Sequence, residues 1–169
     1  MKLQVKPEPW LCMATSFAMA LDVPVREFIA RMGHDGSKIV FPEYPEPLNR
    51  AGHHIQECIH AALMLGYFTT PIELFPVTAA NDSANGAIHQ VIYPGGQLEN
   101  WIQFIGQIQR SRGVITGRGR ACGHAMAYDH GVIFDPDGVE FEYSKDGCER
   151  RGFITRCVWR VDPVARSVV

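Results

Sequence analysis

The chain is 169 residues long, 46% hydrophobic and 20% charged, with a formal net charge of −2. This is the composition of an ordinary globular protein, of a size that suits one domain spanning 1–169 with a substantial buried core. The balanced charge gives no global electrostatic case for nucleic acid or a membrane surface, and no apolar run reaches bilayer-spanning length.

The opening residues, MKLQVKPEPW, hold no apolar stretch of the kind that forms an export signal. Their Pro-bearing end cannot be helical. A helix is predicted immediately after it over 12–21, opened by Cys12, with Ser16, Met19 and Ala20 at helical spacing. DVPVREFIARMG predicts a second helix, with Pro24 in its first turn, Val25, Phe28, Ile29 and Met32 as its buried stripe, and Gly33 as its end. The Pro- and Gly-rich residues 34–52 predict a long surface excursion, with His34 and Asp35 as cap and turn. HHIQECIHAALMLG predicts a third helix that turns Ile55, Cys58, Ile59, Ala62 and Leu63 inward.

Strand character follows in YFTTPIELF and AIHQVIY, separated by the turn-rich TAANDSANG. QLENWIQFIGQIQRS returns to helical spacing through Leu98, Trp101, Ile102, Ile105 and Ile108. The strands then cluster: GVITG, HAMAY, GVIFD, VEFEY and FITRCVWRV. Helices first and strands second predict an α+β fold with a largely antiparallel sheet.

Chemistry concentrates in CGHAMAYDHGVIFDPDG, residues 122–138. DHG between two apolar runs marks a hairpin. With Asp129 and His130 as a two-residue loop, His124 lies directly opposite Asp135; with a three-residue loop the two are diagonal and still within reach. A carboxylate on one ring nitrogen fixes the tautomer and leaves the other nitrogen to take a proton or to stabilise a thiolate. Asp137, beyond Pro136, is the second choice of acid. Cys12 at a helix N-terminus gains from the positive end of the helix, which lowers a thiol pKa. Cys12, His124 and Asp135 thus read as nucleophile, base and orienter, although any one of them alone reads more simply as structure. Trp10 packs beside the first helix or walls a substrate groove.

Two other groupings compete. His53, Glu57 and His60 share a face of the third helix, beside His54 and Cys58, but this is not an H-E-x-x-H pattern and fits an exposed polar stripe equally well. Cys122, Cys148 and Cys157 have no C-x-x-C spacing, so no metal is expected. The odd count of five cysteines, with no export signal, points to a reducing cytoplasm rather than a disulfide framework. Arg110, Arg112, Arg118 and Arg120, with no acid among them, predict a mildly basic patch that is solvated surface or a binding face.

CMATSFAMAL opening on a cysteine, an upstream Gln, and a late GH strand leading to FDP together resemble the papain-like cysteine peptidase superfamily. Within it, the chain is similar to the branch of the bacteriocin-leader processing peptidases and to small uncharacterised relatives from bacteriophage genomes. The resemblance covers roughly residues 4–21 and 122–137. It implies N-terminal helices packed on a C-terminal antiparallel sheet with the site in the cleft between them. Cys12 would be the nucleophile, His124 the general base, Asp135 the orienting acid, and Gln4 an oxyanion-hole amide, although Gln4 stands further ahead of the Cys than in the family. The activity implied is cysteine peptidase or amidohydrolase chemistry on a peptide, isopeptide or side-chain amide, through a thioester and without a cofactor. Acyl transfer, cross-linking, or an inactive module that binds a peptide or host protein are the other roles open to the same scaffold. The expected location is the cytoplasm, that of a bacterial host if the chain is phage-encoded.

Overall fold

The computed structural model describes residues 1–45, 49–72, 92–93, 96–97, 100–120 and 122–164. The predicted turn TAANDSANG, most of the predicted strand AIHQVIY, and Leu98 lie outside them, as does the Trp101 side chain. The elements run α1 (Cys12–Ala20), α2 (Val25–Met32), α3 (Ile55–Met64), β1 (Tyr67–Ile72), β2 (Ile92–Tyr93), β3 (Gly96–Gln97), α4 (Asn100–Ile108), β4 (Arg112–Arg118), β5 (Gly123–Asp129), β6 (Val132–Asp135), β7 (Val139–Glu142), α5 (Lys145–Arg151) and β8 (Ile154–Pro163). Six strands form one sheet in the order β1-β8-β4-β5-β6-β7, and every neighbouring pair is antiparallel.

Side chains alternate across a strand, so the sheet has two apolar faces. Val114, Ala125 and Val161 join Leu11, Phe17 and Phe28 in a core beneath α1, α2 and α3. Ile115, Met126, Tyr128, Ile133 and Val158 join Phe104 and Ile108 of α4 and Cys148 of α5 on the other face. Helix α1 differs from its predicted one-sided form: Ala14 through Ala20 are all buried. A helix enclosed on every side needs apolar or small residues all round, which ATSFAMA supplies. On α3 the buried set is Cys58, Ala61 and Ala62, whereas Leu63 is exposed. On α4, Phe104 and Ile108 are buried and Ile102 faces solvent.

The hairpin that carries the predicted base and acid has a different register from either predicted one. Asp129 pairs with Val132, Tyr128 with Ile133 and Ala127 with Phe134. The two-residue loop is therefore His130–Gly131, not Asp129–His130. Both loop residues have positive φ, 48° and 94°, as a type I′ turn demands; its twist matches that of the strands it joins. A glycine tolerates that conformation at no steric cost, so Gly131 belongs in the turn rather than in the strand. The shift is two residues. Because the side-chain period is also two, His124 and Asp135 stay on one face, as diagonal neighbours.

The helix α5 was not foreseen. Ser144 caps it, its Oγ accepting from the Gly147 N–H at 3.2 Å, and Gly152 ends it in a left-handed conformation. Gly147 interrupts the helix for a packing reason: a Cβ there would stand 2.3 Å from the Glu142 carbonyl oxygen. The helix turns back across the sheet end and delivers Arg151 to the acid of the hairpin.

Candidate active site

Cys12 is the first residue of α1, and α1 packs against β5. The N-cap position is held by Leu11, whose side chain offers no acceptor to the first-turn N–H groups. Such orphan donors, with the positive end of the helix dipole, favour negative charge at this spot. The Cys12 carbonyl accepts from Ser16 Oγ at 2.8 Å, which ties down the first turn. From the other side, β5 brings two groups to the sulfur. The Ala125 N–H and the His124 ring both lie close enough to the sulfur to lower its pKa.

His124 donates from Nε2 to Asp135 Oδ1 at 2.9 Å. With that nitrogen engaged, Nδ1 is the one left for the neighbouring Cys12 thiol. His124 is 14% exposed and Asp135 1%. The carboxylate is fully employed: Oδ1 also accepts from the Asp137 N–H at 3.0 Å, and Oδ2 accepts from Arg151 Nη2. Phe153 stands edge-on to the imidazole, with ring centroids 6.3 Å apart. The three predicted groups thus meet in the order thiol, imidazole, carboxylate, joined from two parts of the chain more than a hundred positions apart.

The electrostatics follow from these contacts. Burial alone would raise the Cys12 pKa, but the hydrogen bond and charge of His124, the Ala125 N–H and the Lys6 charge outweigh it and hold the thiol below its ordinary value. Burial would lower His124; the hydrogen bonds and charges of Asp135 and Cys12 outweigh it and raise the imidazole to about 9. Burial would likewise raise Asp135, yet His124, the Asp137 N–H and Arg151 pull it down to about 2. The thiol is thus shifted toward thiolate and the imidazole toward imidazolium, each favouring the other, beside a carboxylate held ionised. Cys58 is an internal contrast. It is more deeply buried and has no imidazole, and burial drives its thiol far above the ordinary value.

Gln4 is placed elsewhere, and its predicted oxyanion role is corrected. Its Nε2 donates to the Val23 carbonyl at 2.8 Å and its Oε1 accepts from the Val25 N–H at 2.9 Å. Both partners lie past the C-terminal end of α1, while Cys12 opens the other end. At about 1.5 Å per helical residue, the length of α1 separates them by roughly 12 Å. Gln4 braces the α1–α2 corner. Lys6 is the residue of this segment that reaches the site: its N–H donates to the Pro136 carbonyl at 2.9 Å and its Nζ pairs with Asp137 at 2.6 Å. Trp10 is half-buried against the α1–α3 core, its Nε1 donating to the Asp35 carbonyl at 3.1 Å.

The helix face with His53, Glu57 and His60 is built differently from a ligand set. Glu57 accepts from the His54 N–H at 2.7 Å and pairs with His34 at 2.8 Å, while His53 is buried with Nε2 against the His34 carbonyl. Among the described residues, donor atoms of His124, Asp135 and Asp137 do lie within 4.8 Å of one another. Arg151 and Lys6 already neutralise those two carboxylates. The predicted basic patch is taken apart by β4. Arg112 pairs with Asp22 at 2.8 Å, whereas Arg120 lies beyond the far end of the strand, at a cleft beside His124. Arg151 and Lys6 are the site residues that sequence reasoning missed. The Ser144 cap and the Gly152 stop were the available signals for α5.

An antiparallel sheet carrying a histidine and an acid on one hairpin, with a helix opened by cysteine packed against it, is a papain-like α+β fold. Among solved structures, the chain is similar to the peptidase domain of Streptococcus ComA, a bi-functional ABC transporter involved in a quorum-sensing pathway. The TM-score is 0.54 at 12% sequence identity, over 96% of this chain and 98% of that one. At that identity the likeness is one of fold. No protein-family model matches the sequence, and no curated protein matches it. No helix among the described residues is long and apolar enough to cross a membrane.

Proposed function

We propose that the chain is a cysteine peptidase or amidohydrolase whose catalytic residues are Cys12, His124 and Asp135. The observation that supports this reading is the juxtaposition of the three groups, with the Cys12 thiol beside an imidazole that is hydrogen-bonded to the Asp135 carboxylate. The depressed thiol and the raised imidazole favour a reactive centre over a binding module built on the same scaffold. The Cys12 thiolate attacks the carbonyl carbon of a peptide, isopeptide or side-chain amide, and the carbonyl oxygen takes the negative charge. That oxygen is held by the Cys12 N–H and its neighbours in the uncapped first turn of α1, where donors are already oriented. The imidazolium protonates the leaving nitrogen, the C–N bond breaks, and a thioester remains on Cys12. Water, deprotonated by the now neutral His124, adds to the thioester and releases the acid and the free thiolate.

Asp135 holds the ring in place, and Arg151 holds Asp135. Trp10, two residues ahead of the nucleophile and half-exposed, would line the groove. The likeness in fold to a peptidase domain supports a peptide as the substrate, and on this reading the reaction takes place in the cytoplasm, that of a bacterial host if the chain is phage-encoded. The test uses Cys12→Ala beside the wild-type protein. Wild type is expected to cleave members of a randomised peptide library, and to be alkylated by iodoacetamide at Cys12 far faster than at Cys122 or Cys157. Cys12→Ala should lose all cleavage while keeping its circular dichroism. Equal cleavage by both proteins, or a Cys12 that reacts as slowly as a free thiol at neutral pH, would end this reading.

A further inference from the structure

His124 belongs to two surfaces at once. The ring stands beside the Cys12 thiol, and it also lines a cleft of about 300 Å³. Lys6, Arg120, Arg150 and Arg151 line that cleft, against two acids, Asp135 and Asp137. The acids are already matched: Asp135 with Arg151 and Asp137 with Lys6. Arg120 and Arg150 have no carboxylate partner among the described residues. Each donates to a main-chain carbonyl, Arg120 Nη2 to Arg150 at 2.7 Å and Arg150 Nε to Asp146 at 3.2 Å.

Arg120 is also held in position. Its stem lies over Gly152, where a Cβ would stand 2.7 Å from Arg120 Cγ and 3.0 Å from its Nε. An exposed arginine usually loses rotamer freedom when it binds a ligand; here part of that loss has occurred in the fold. The cleft therefore presents two unneutralised guanidinium charges, one of them oriented, next to the general acid of the site.

Which half of a substrate lies there follows from the proton. An imidazolium that protonates the leaving nitrogen must have the leaving half of the substrate on its own side of the sulfur. We infer that the cleft formed by Arg120 and Arg150 beside His124 is a subsite for a carboxylate in the leaving half of the substrate, within the first two residues after the scissile bond. This deepens the peptidase reading and rests on it. The carboxylate has two sources, an Asp or Glu side chain and a free C-terminus, and both match the planar, bidentate geometry of arginine.

The experiment uses acetylated octapeptide libraries with Glu, Gln or Lys fixed at each position in turn, made with a C-terminal carboxylate or carboxamide. Cleavage by the full chain is read by mass spectrometry. Binding of the same libraries is read separately with Cys12→Ala protein, which needs no turnover. Since both arginines are solvent-accessible, the preference expected for Glu over Gln at the first or second position after the cut is about three- to tenfold. It should weaken in high salt. A side-chain source shows in the Glu libraries whatever their terminus; a terminal source shows only in peptides cut within two residues of a free carboxylate. In Arg120→Gln/Arg150→Gln the ratio should fall to near one, and in Arg120→Glu/Arg150→Glu Lys should overtake Glu. Cleavage or binding that treats Glu and Gln alike, or a preference that survives the double substitution, overturns the subsite. If no library is cleaved, the peptidase reading falls, while the binding arm with Cys12→Ala still decides the carboxylate preference by the same criteria.

Discussion

Replacing Asp135 by Asn isolates the contribution of the acid to the ion pair. The imidazole stands at about 9 instead of its ordinary 6.5. Each pKa unit is about 1.4 kcal/mol, so its neighbours stabilise the imidazolium by roughly 3 kcal/mol. After the opposing effect of burial, the Asp135 hydrogen bond is the foremost cause. Asn preserves the shape and can still accept from His124 Nε2, but the charge is gone and its amide nitrogen faces the Arg151 donor. An opposite charge at hydrogen-bond distance is worth about one to three pKa units, so the His124 midpoint should fall by at least about one. The assay is an NMR titration of the His124 ring protons between pH 5 and 10, with Cys12 alkylation followed over the same range. In wild type the ring should titrate near 9, and the alkaline limb of Cys12 reactivity should coincide with it. In Asp135→Asn both should move down together. A wild-type ring that titrates near 6.5, or a variant whose midpoint is unmoved, would refute the ion-pair account.

Gln4→Ala should cost about 1–3 kcal/mol in urea unfolding, through two lost hydrogen bonds at the α1–α2 corner, while leaving the Cys12 alkylation rate unchanged; a loss of alkylation rate or cleavage with stability intact would restore the oxyanion role. Asp135 should also shape acid unfolding. Its folded value of about 2 lies below the ordinary 3.8, so its stabilisation, roughly 2 kcal/mol, is complete above pH 3.8 and is lost as pH falls toward 2. Asp135→Asn should flatten the stability–pH slope in that window. The raised His124 has the opposite sign: its contribution is complete below pH 6.5 and is lost as pH climbs through about 9, so His124→Ala should flatten the alkaline side in denaturant titrations.

The parts of the site legible in the sequence were those set by short-range rules. A hairpin places residues eleven apart within reach, and its period of two meant that a register read wrongly by two still put His124 and Asp135 on one face. A helix that opens on Cys12 after a Pro-bearing run needs only local propensity. The burial of α1 on every side was not legible, because whether one or all faces are covered depends on α2, α3 and the sheet. Leu63 and Ala61 exchanged places on α3 for a related reason: hydrophobic spacing names a face, but the packing partner decides which edge of it is enclosed. Arg151 was hidden because KDGCERR has no apolar period and carries a central glycine, which reads as a break until β7 is seen against it. Gln4 was misplaced because a side chain's target across space leaves no periodic trace. The basic patch dissolved once its residues were laid along an extended strand, where Arg112 and Arg118 stand about 20 Å apart.

The imidazole and its acid come from one local hairpin, closed by a tight turn, while the sulfur arrives from the far end of the sequence with its own helix. The imidazole–carboxylate pair can therefore assemble without the sulfur. Until the helical half docks on the sheet, Cys12 is an unremarkable thiol with a weak appetite for carbonyls. On the proposed reading, docking is what arms it. A nascent or partly unfolded copy thus lacks the neighbours that depress the Cys12 pKa, and on the proposed reading the reactivity of that sulfur reports whether the two halves of the molecule have closed.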